Sequence, residues 1–590
     1  MPHIVIDGQK IETAEGKTII EAAIENGITI PHFCWHPSLT IAGNCRICLV
    51  DTGSQKKSKE GVLEVDEQGN PVIAYFPKLQ IACATKVTDG MYVDTKSEKV
   101  DKAQQAVMEF LLINHPLDCP ICDEAGQCKL QEYAFRYSNG SSRFDDAKNH
   151  KDKRQPWGPN VMFDAERCIS CSRCIRFANE IAHQPVLSFV QRGDHVTIET
   201  FPGTQFDNPY SLNVTDICPV GALTSIDFRF KARVWDMSFN PSVCPGCARG
   251  CNIELGVRNN EILRMDPRPN KYVNEFWMCD YGRLTQYPFV NENRISGPMV
   301  KKSGVLTETS WEEATKTAID KLSAFKGSEI MVIGSSRATN EDNYALLKFA
   351  KDVLKTSNID FVRYIDESFG DEFLRVSDKS PNTAGLLALG FKDAKGVTIE
   401  KLAEAISKGN IKALYIMDED ISDISPELTS ALDKVNCLIV HSSNHTKTTE
   451  RADVVIASAT YAELTGTFTN VNKRVQLVRP AVTTQENARY MGMKMSRLDK
   501  FGAFNDRWTH GARRNCRQSW RSLQHIAKLM GTEWNYSSSE HVFDDIAKNV
   551  DAFKGMGYEV MEAHQGLVLD KGTTPDPKVT EYVSHYFKPA

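Results

Sequence analysis

Cys168-Ile169-Ser170-Cys171-Ser172-Arg173-Cys174-Ile175-Arg176-Phe177-Ala178, with Cys218-Pro219 farther along, is the stretch that decides how this chain reads. Cysteines crowded at such short gaps are placed to converge on one point, as metal ligands must be. The chain has 17 cysteines in 590 residues, and all but Cys437 and Cys516 lie between Cys34 and Cys279. Disulfides fit this distribution poorly, because the count is odd, the chain is long and the expected compartment is reducing.

The quoted run matches the opening of the bacterial ferredoxin pattern C-x2-C-x2-C-x3-C-P, whose fourth cysteine serves the other cluster in two-cluster ferredoxins. That fourth position is Ala178 here, so the run gives nothing to a second site. A second run should end in Cys-Pro, and Cys218-Pro219 is that ending. Its three partners would fall at Asn208, Ser211 and Val214, none of them a thiol. One cluster has been lost and one kept, a [4Fe–4S] site held by Cys168, Cys171, Cys174 and Cys218.

Three more sets flank it. Cys34, Cys45, Cys48 and Cys83 follow the plant-type [2Fe–2S] order with a longer first gap. His32 and His36 beside Cys34 read as loop residues, not ligands. His115, Cys119, Cys122 and Cys128 form a second set: the nearby chain offers only three thiols for a [4Fe–4S] cube, and His115 reads as the fourth ligand, with a bystander histidine as the alternative. A neutral imidazole there should raise the reduction potential, as histidine ligation does in Rieske centres. Cys244, Cys247, Cys251 and Cys279 form the fourth set, again read as [4Fe–4S]. Structural zinc is the alternative for the first, second and fourth sets.

Working outward, Ile4 and Ile6 alternate before a turn at Asp7-Gly8, and a helix follows around Ile19 to Glu25. Gly53 to Asn70 reads as a polar surface loop. A helix from about Val100 to Ile113 stops at His115-Pro116, and Ser138 to Asn160 reads as a linker. Beyond Gly297-Pro298 the pattern changes to alternating strands and helices. Ile330 to Ile333 reads as a strand, Gly334-Ser335-Ser336 as a turn and Thr339 as a helix cap. Leu414 to Met417, Leu438 to Val440 and Val454 to Ile456 are further strands, giving an α/β domain with a largely parallel sheet.

Five arginines (507, 513, 514, 517 and 521) and no acid lie between Arg507 and Thr532. With Trp520, Leu523, Ile526-Ala527 and Met530 at helical spacing and Gly531 as C-cap, the segment reads as a charged surface helix, and secondarily as a dock for an acidic partner. A net charge of −6 argues against a nucleic-acid binder. No apolar run is long enough to span a membrane, and the N-terminus has no export signal, so the expected location is cytoplasmic. No G-x-G-x-x-G motif follows a strand, so nothing suggests direct binding of NADH or flavin.

The order of the four sets resembles the G subunit of NADH-quinone oxidoreductase, respiratory complex I. Cys244-Pro245-Gly246-Cys247 with Met278-Cys279-Asp280-Tyr281-Gly282-Arg283 resembles the iron–sulfur segment of molybdopterin oxidoreductases. Ala452-Asp453-Val454-Val455-Ile456 and Glu463-Leu464-Thr465-Gly466-Thr467-Phe468-Thr469-Asn470 are similar to late motifs of that domain.

The resemblance implies a multidomain α+β and α/β chain. A β-grasp [2Fe–2S] ferredoxin domain takes 1–97, a His(Cys)3 [4Fe–4S] domain 98–137, a linker 138–160 and a ferredoxin-like [4Fe–4S] domain 161–235. A molybdopterin-oxidoreductase-type [4Fe–4S] segment then takes 237–296, a degenerate α/β domain of that type 297–500 and a C-terminal helical region 501–590.

It implies one [2Fe–2S] and three [4Fe–4S] clusters passing electrons from a flavin- and NADH-binding subunit towards a quinone-side iron–sulfur subunit. The expected place is peripheral, on the cytoplasmic side of the cell membrane, with proton translocation in the whole complex. The fourth cluster lies off the main path by that analogy. The chain would have no catalytic site of its own. No cysteine occurs between Cys279 and Cys437 to ligate molybdenum or tungsten, so no molybdopterin is expected. An iron–sulfur subunit of an NAD-linked formate dehydrogenase or hydrogenase is the alternative, and a zinc-holding scaffold an alternative of another class.

Overall fold

The strand His3–Ile6 turns Ile4 and Ile6 inward and runs back as Gln9–Glu12 through a two-residue turn. Asp7 and Gly8 both have positive φ, 49° and 83°, as that tight turn requires. In this computed structural model, which describes residues 1–59, 61–393, 395–494 and 511–570, the hairpin edges a six-stranded sheet. Met91–Asp94 pairs parallel to His3–Ile6, and Leu49–Gln55 lies antiparallel to it beyond. The helix Ile19–Glu25 covers one face, opened by a reciprocal capping box between Thr18 and Glu21. Its Ile19, Ile20, Ala22 and Ala23 join Ile4, Ile6, Ile11, Val50 and Val93 in one core.

The polar loop expected from Gly53 starts later, because Gly53 to Gln55 continue the strand and pair with Ile73–Tyr75. A Cβ at Gly53 would meet the Ala74 carbonyl oxygen at 2.6 Å, so glycine there marks a close strand approach and not a turn.

The chain forms two compact units, one taking in Met1–Trp235 and one opening at Asp236. Within the first, the helix Glu98–Ile113 ends just before His115, and the helix Lys129–Tyr137 starts directly after Cys128. Residues 138–160 carry little regular structure, yet they are tied down. Arg143 forms a forked ion pair with Glu109, Lys148 Nζ donates to the carbonyls of Leu112 and Ile113, and Gln155–Pro156 pairs with Val161–Phe163. Cys174 lies in the first turn of the helix Arg173–Glu180, and the helix Asn213–Ile217 ends just before Cys218. At the positions where a second ferredoxin cluster would have had ligands, Ala178, Ser211 and Val214 are fully buried among packed side chains.

In the second unit a three-stranded antiparallel meander (Ser238–Val243, Asn252–Arg258, Glu261–Pro267) precedes a seven-stranded sheet. The sheet order is Val305–Glu308, Met299–Lys302, Val454–Ala457, Cys437–Ser442, Ala413–Met417, Ile330–Ser335, Ile359–Val362. The last five run parallel, and the first two close one edge antiparallel. The strand Ile330–Ser335 runs through the expected turn at Gly334-Ser335, since those residues pair with Phe361 and Val362. Thr339 caps the next helix, its hydroxyl accepting from the Asp342 amide at 3.1 Å.

Among the described residues of the arginine-rich segment, Arg514, Arg517 and Arg521 fold back on the unit and do not simply face solvent as the surface-helix reading expects. The helix Ser519–Leu529 buries Trp520, Leu523, Ile526 and Ala527 in the same core as the parallel sheet. Arg517 stacks 4.0 Å over the Trp311 ring, Arg517 and Arg521 reach Glu486, and Arg514 donates to the Asn291 carbonyl. Charge counting missed this because the partners come from distant parts of the chain. Gly531, with φ of 88°, ends the helix as expected. Arg507 and the rest of 501–510, and 571–590, lie outside the described residues.

Candidate metal centres

The first set sits where the β-grasp sheet meets its loop. The thiols of Cys34 and Cys45, Cys34 and Cys83, and Cys48 and Cys83 are in hydrogen-bond contact, so segments far apart in sequence bring four sulfurs together. Cys34, Cys48 and Cys83 are buried. Hydrogen bonds from Cys45 and Cys83 favour the thiolate at Cys34, while donating them disfavours it at Cys45 and Cys83. His32 and His36 are buried too, and burial together with the Arg173 charge holds both in the neutral form.

In the second set, burial pushes the Cys122 thiol up and the Cys128 thiol up to about 12. These two sulfurs lie within electrostatic reach of each other. Cys119 lies exposed on the short turn Cys119–Ile121. His115 lies just past the helix end, its amide donating to the Leu112 carbonyl, and burial with the nearby Arg167 lowers its pKa to about 4. A neutral imidazole is the form that ligates metal.

The third set is the most fully formed. Cys168, Cys171, Cys174 and Cys218 line one cavity, about 320 Å³ of empty space including its opening, walled in part by Phe163, Ile198 and Leu223, with Ser172 and Arg173 also on its lining. The loop reaches this shape through two left-handed residues, Ser170 and Ser172, with φ of 53° and 63°. That turns backbone amides towards the sulfurs, and Ser170 N–H donates to Cys168 Sγ at 3.4 Å. Burial pushes all four thiols up, Cys168 to about 12. Among the described residues, no three His, Cys, Asp or Glu side chains gather around a single-ion position.

In the second unit, the Cys244 amide donates to the Cys251 carbonyl at 2.8 Å, closing the loop that carries the first three cysteines of the fourth set. Cys279 opens the helix Asp280–Thr285, and its sulfur accepts from the Gly282 amide at 3.3 Å. Gly246 N–H donates to Cys244 Sγ at 3.4 Å. A Cβ at Gly282 would lie 3.0 Å from Cys244 Sγ and 3.5 Å from Cys279 Sγ, so a side chain there would fill the cradle between them. All four are buried, and burial raises each thiol, Cys279 to about 12.

Buried thiols raised in this way are poor bare anions. A cationic iron centre supplies the charge that offsets their desolvation, and amide N–H···S bonds orient and stabilise the thiolates around it. The donor chemistry of the sets therefore fits iron–sulfur clusters.

A different cluster of buried acids occupies the C-terminal ends of the parallel strands, where open α/β sheets bind ligands. Asp418 bonds the Ser458 hydroxyl. Glu419 accepts from Ser335 Oγ at 2.7 Å and Tyr364 Oη at 2.5 Å, and Glu341 accepts from the Thr467 amide at 2.8 Å and Tyr558 Oη at 2.7 Å. Burial pushes each of the three carboxyls up to about 7. A carboxyl raised in the fold binds its proton there while the unfolded chain has already lost it, so its contribution to stability is lost as pH rises towards the folded value.

The second unit is therefore expected to lose stability between about pH 5 and pH 7. His441 and His525, both lowered by burial, act in the opposite direction below about pH 6.5 and offset part of the loss. Denaturation of the anaerobic chain at pH 5, 6 and 7 reads this slope, and Glu419→Gln should flatten it. A midpoint that rises with pH contradicts it.

Comparison with known proteins follows the same order. Residues 2–98 match the 2Fe-2S iron-sulfur cluster binding domain, and 104–143 match the NADH-ubiquinone oxidoreductase-G iron-sulfur binding region. Residues 158–224 match the ferredoxin-like domain of NADH-quinone oxidoreductase subunit 3. NADH-quinone oxidoreductase subunit 3 of Thermus thermophilus is 40% identical over 377 residues, 61% of this chain and 47% of the relative. Over these residues the chain is similar to G subunits of NADH-quinone oxidoreductase.

The G subunits from Rickettsia typhi and Streptomyces coelicolor are 42% and 37% identical over 347 and 407 residues. These matches take in 59% and 68% of this chain, and 48% and 46% of the relatives. The chain thus spans about half the length of the curated relatives it matches. Its later part matches the molybdopterin oxidoreductase Fe4S4 domain over 237–286 and the molybdopterin oxidoreductase domain over 372–491. A chain of an NAD+-reducing [NiFe]-hydrogenase aligns with 40% of this one and 91% of its own length, at 26% identity and a TM-score of 0.32. The chain thus matches both 2Fe-2S and 4Fe-4S domain families.

Reading the sequence found the cysteines but missed the polar side chains that hold their loops. Arg173 and Arg176 bond carbonyls in the Cys34 loop, and Arg233 Nη1 donates to the Cys122 carbonyl at 2.6 Å. An arginine carries no spacing signal for such a role.

Proposed function

We propose that this chain is an electron-relay subunit of an NADH-quinone oxidoreductase, holding one [2Fe–2S] and three [4Fe–4S] clusters. Cys34, Cys45, Cys48 and Cys83 hold the [2Fe–2S] cluster. His115, Cys119, Cys122 and Cys128 hold one cube, Cys168, Cys171, Cys174 and Cys218 a second, and Cys244, Cys247, Cys251 and Cys279 a third. When bound, such clusters supply one-electron redox chemistry, with potentials set by ligand type, burial and hydrogen bonds to sulfur.

The protein's own part is to hold and tune. Apolar walls of Phe163, Ile198 and Leu223 limit water around the third set, whose Cys171 and Cys174 are buried. Amides of Ser170, Gly246 and Gly282 donate to ligand sulfurs and lower their basicity. The exposed Cys119 brings the second set to the surface, where a neighbouring carrier could be met. The partners are a flavin- and NADH-binding subunit on one side and a quinone-side iron–sulfur subunit on the other. The chain lies peripherally on the cytoplasmic face of the cell membrane, and proton translocation belongs to the whole complex. No described helix is long and apolar enough to cross a membrane.

The observation that carries this reading is the cavity lined by four cysteines from two separate segments. Purification of the complex from native membranes, followed by NADH addition and low-temperature EPR, tests it. One binuclear and several tetranuclear signals assigned to this chain should appear on reduction. A complex that reduces quinone with this chain absent would count against it. His115→Cys should lower the potential of one cube only, because a thiolate adds negative charge where the imidazole was neutral. An unchanged potential in a redox titration would argue against ligation by His115.

A further inference from the structure

Two arginines on one helix lock the loops of the first and third cysteine sets together. Arg173 and Arg176 belong to Arg173–Glu180 and are only 6% and 9% exposed. Arg173 reaches both ways, Nη2 to the Trp35 carbonyl in the Cys34 loop and Nη1 to the Ile217 carbonyl, next to Cys218, at 2.9 Å. Arg176 donates to the Cys34 and Thr40 carbonyls and, at 3.5 Å, to the carbonyl of Cys171. Its Nε is fixed by Ser172 Oγ at 3.2 Å. A further bond, Asn44 Nδ2 to the Ser170 carbonyl at 3.1 Å, joins the same two loops.

The charge balance of this arrangement is unusual. A guanidinium stays charged at any accessible pH, and burying one without an anion is strongly unfavourable. Among the described residues, no carboxylate lies within ion-pair distance of either guanidinium. Their hydrogen bonds go to carbonyls and one hydroxyl. Arg173 lies within electrostatic reach of Cys34, Cys45 and Cys171. With clusters bound, ligand thiolates of two different sets supply the anions near these two buried cations.

We propose that Arg173 and Arg176 are positioning residues that act as a shared counter-charge for the first and third sets, making both sites easier to reduce. The inference rests on the ligand sets proposed above. Each electron added to either site increases its negative charge by one, and a cation held at fixed distance in a poorly solvated interior favours that change. Because the pair touches both loops, one substitution should move two potentials. A purely structural clasp would leave both potentials where they are.

The test is an EPR-monitored redox titration of the full chain, with iron and sulfide measured on each sample. The wild-type protein comes first. If it shows no binuclear signal, the ligand reading has failed, before any arginine is changed. In Arg173→Met the binuclear midpoint potential and that of one tetranuclear cluster should both become more negative, while the other two stay unchanged. Arg173→Lys keeps the charge without the fork and should fall between Met and wild type. If Arg173→Met does not fold, Arg176→Gln carries the test, with the same two signals moving the same way. Unchanged potentials with full iron in Arg176→Gln, or a shift in all four clusters alike, overturn the proposal.

Discussion

Gly221→Ala is expected to lose one [4Fe–4S] cluster, about four irons of a complement of about 14. A Cβ at this position would lie 2.1 Å from Cys122 Sγ and 2.9 Å from the Glu124 Cβ, far inside contact distance. Neither side can easily retreat. The loop holding Gly221 also carries Cys218, its Pro219 carbonyl accepts from the Lys129 amide at 3.2 Å, and its Ala222 carbonyl from the Asp164 amide at 2.8 Å. The opposing loop is held by Arg233, which donates to the carbonyls of Cys122 and Pro120.

Overpacking of a tight site costs about 1–3 kcal/mol in general. Here the displaced atom is itself a proposed ligand, so the strain falls on metal binding. Iron and sulfide analysis with EPR reads the outcome: a single tetranuclear signal should vanish while the binuclear one persists. Full iron with unchanged spectra would refute the packing argument.

The second large effect concerns stability. Arg294→Met is expected to destabilise the second unit by up to about 3–5 kcal/mol, the cost of removing one partner from a buried ion pair, with Arg514 Nη1, 3.8 Å from Glu463 Oε1, offsetting part of it. Arg294 donates to both oxygens of Glu463, Nη1 to Oε1 at 3.1 Å and Nη2 to Oε2 at 2.7 Å. The side chains are 3% and 1% exposed, so water cannot replace the lost partner. Glu463 also accepts from the Thr460 amide at 2.9 Å, which fixes the carboxylate in place. Arg294 itself ties the Val290 and Ser443 carbonyls, so Met forfeits those bonds too. Denaturant titration of the anaerobic chain measures the change. A loss under about 1 kcal/mol, typical of exposed pairs, would show that the pair is not insulated from solvent.

Local chemistry made the grouping of the cysteines readable in advance. The spacing of Cys168, Cys171 and Cys174 specifies a loop, and the Cys218-Pro219 ending identifies which distant segment completes it. The strands Ala413–Met417 and Cys437–Ser442 were equally legible, because buried parallel strands read as unbroken apolar runs. What failed were inferences in which a residue's meaning depended on a remote neighbour. Gly53 looks like a loop residue until Ala74 is placed beside it. Arg514, Arg517 and Arg521 look like a solvated charge run until Asn291, Trp311 and Glu486 are folded against them. Arg173 and Arg176 are silent for the same reason, since carbonyl acceptors leave no mark in a sequence.

The claim beneath all of this is that these thiols and one imidazole enclose iron and inorganic sulfide. Metal and acid-labile sulfide content of the anaerobically purified chain, with Mössbauer spectra of iron-57-enriched protein, is the most direct measurement of it. The expected result is about 14 irons and a matching amount of sulfide per chain, one binuclear and three tetranuclear species, with zinc near zero. A colourless protein with stoichiometric zinc and no sulfide would contradict it.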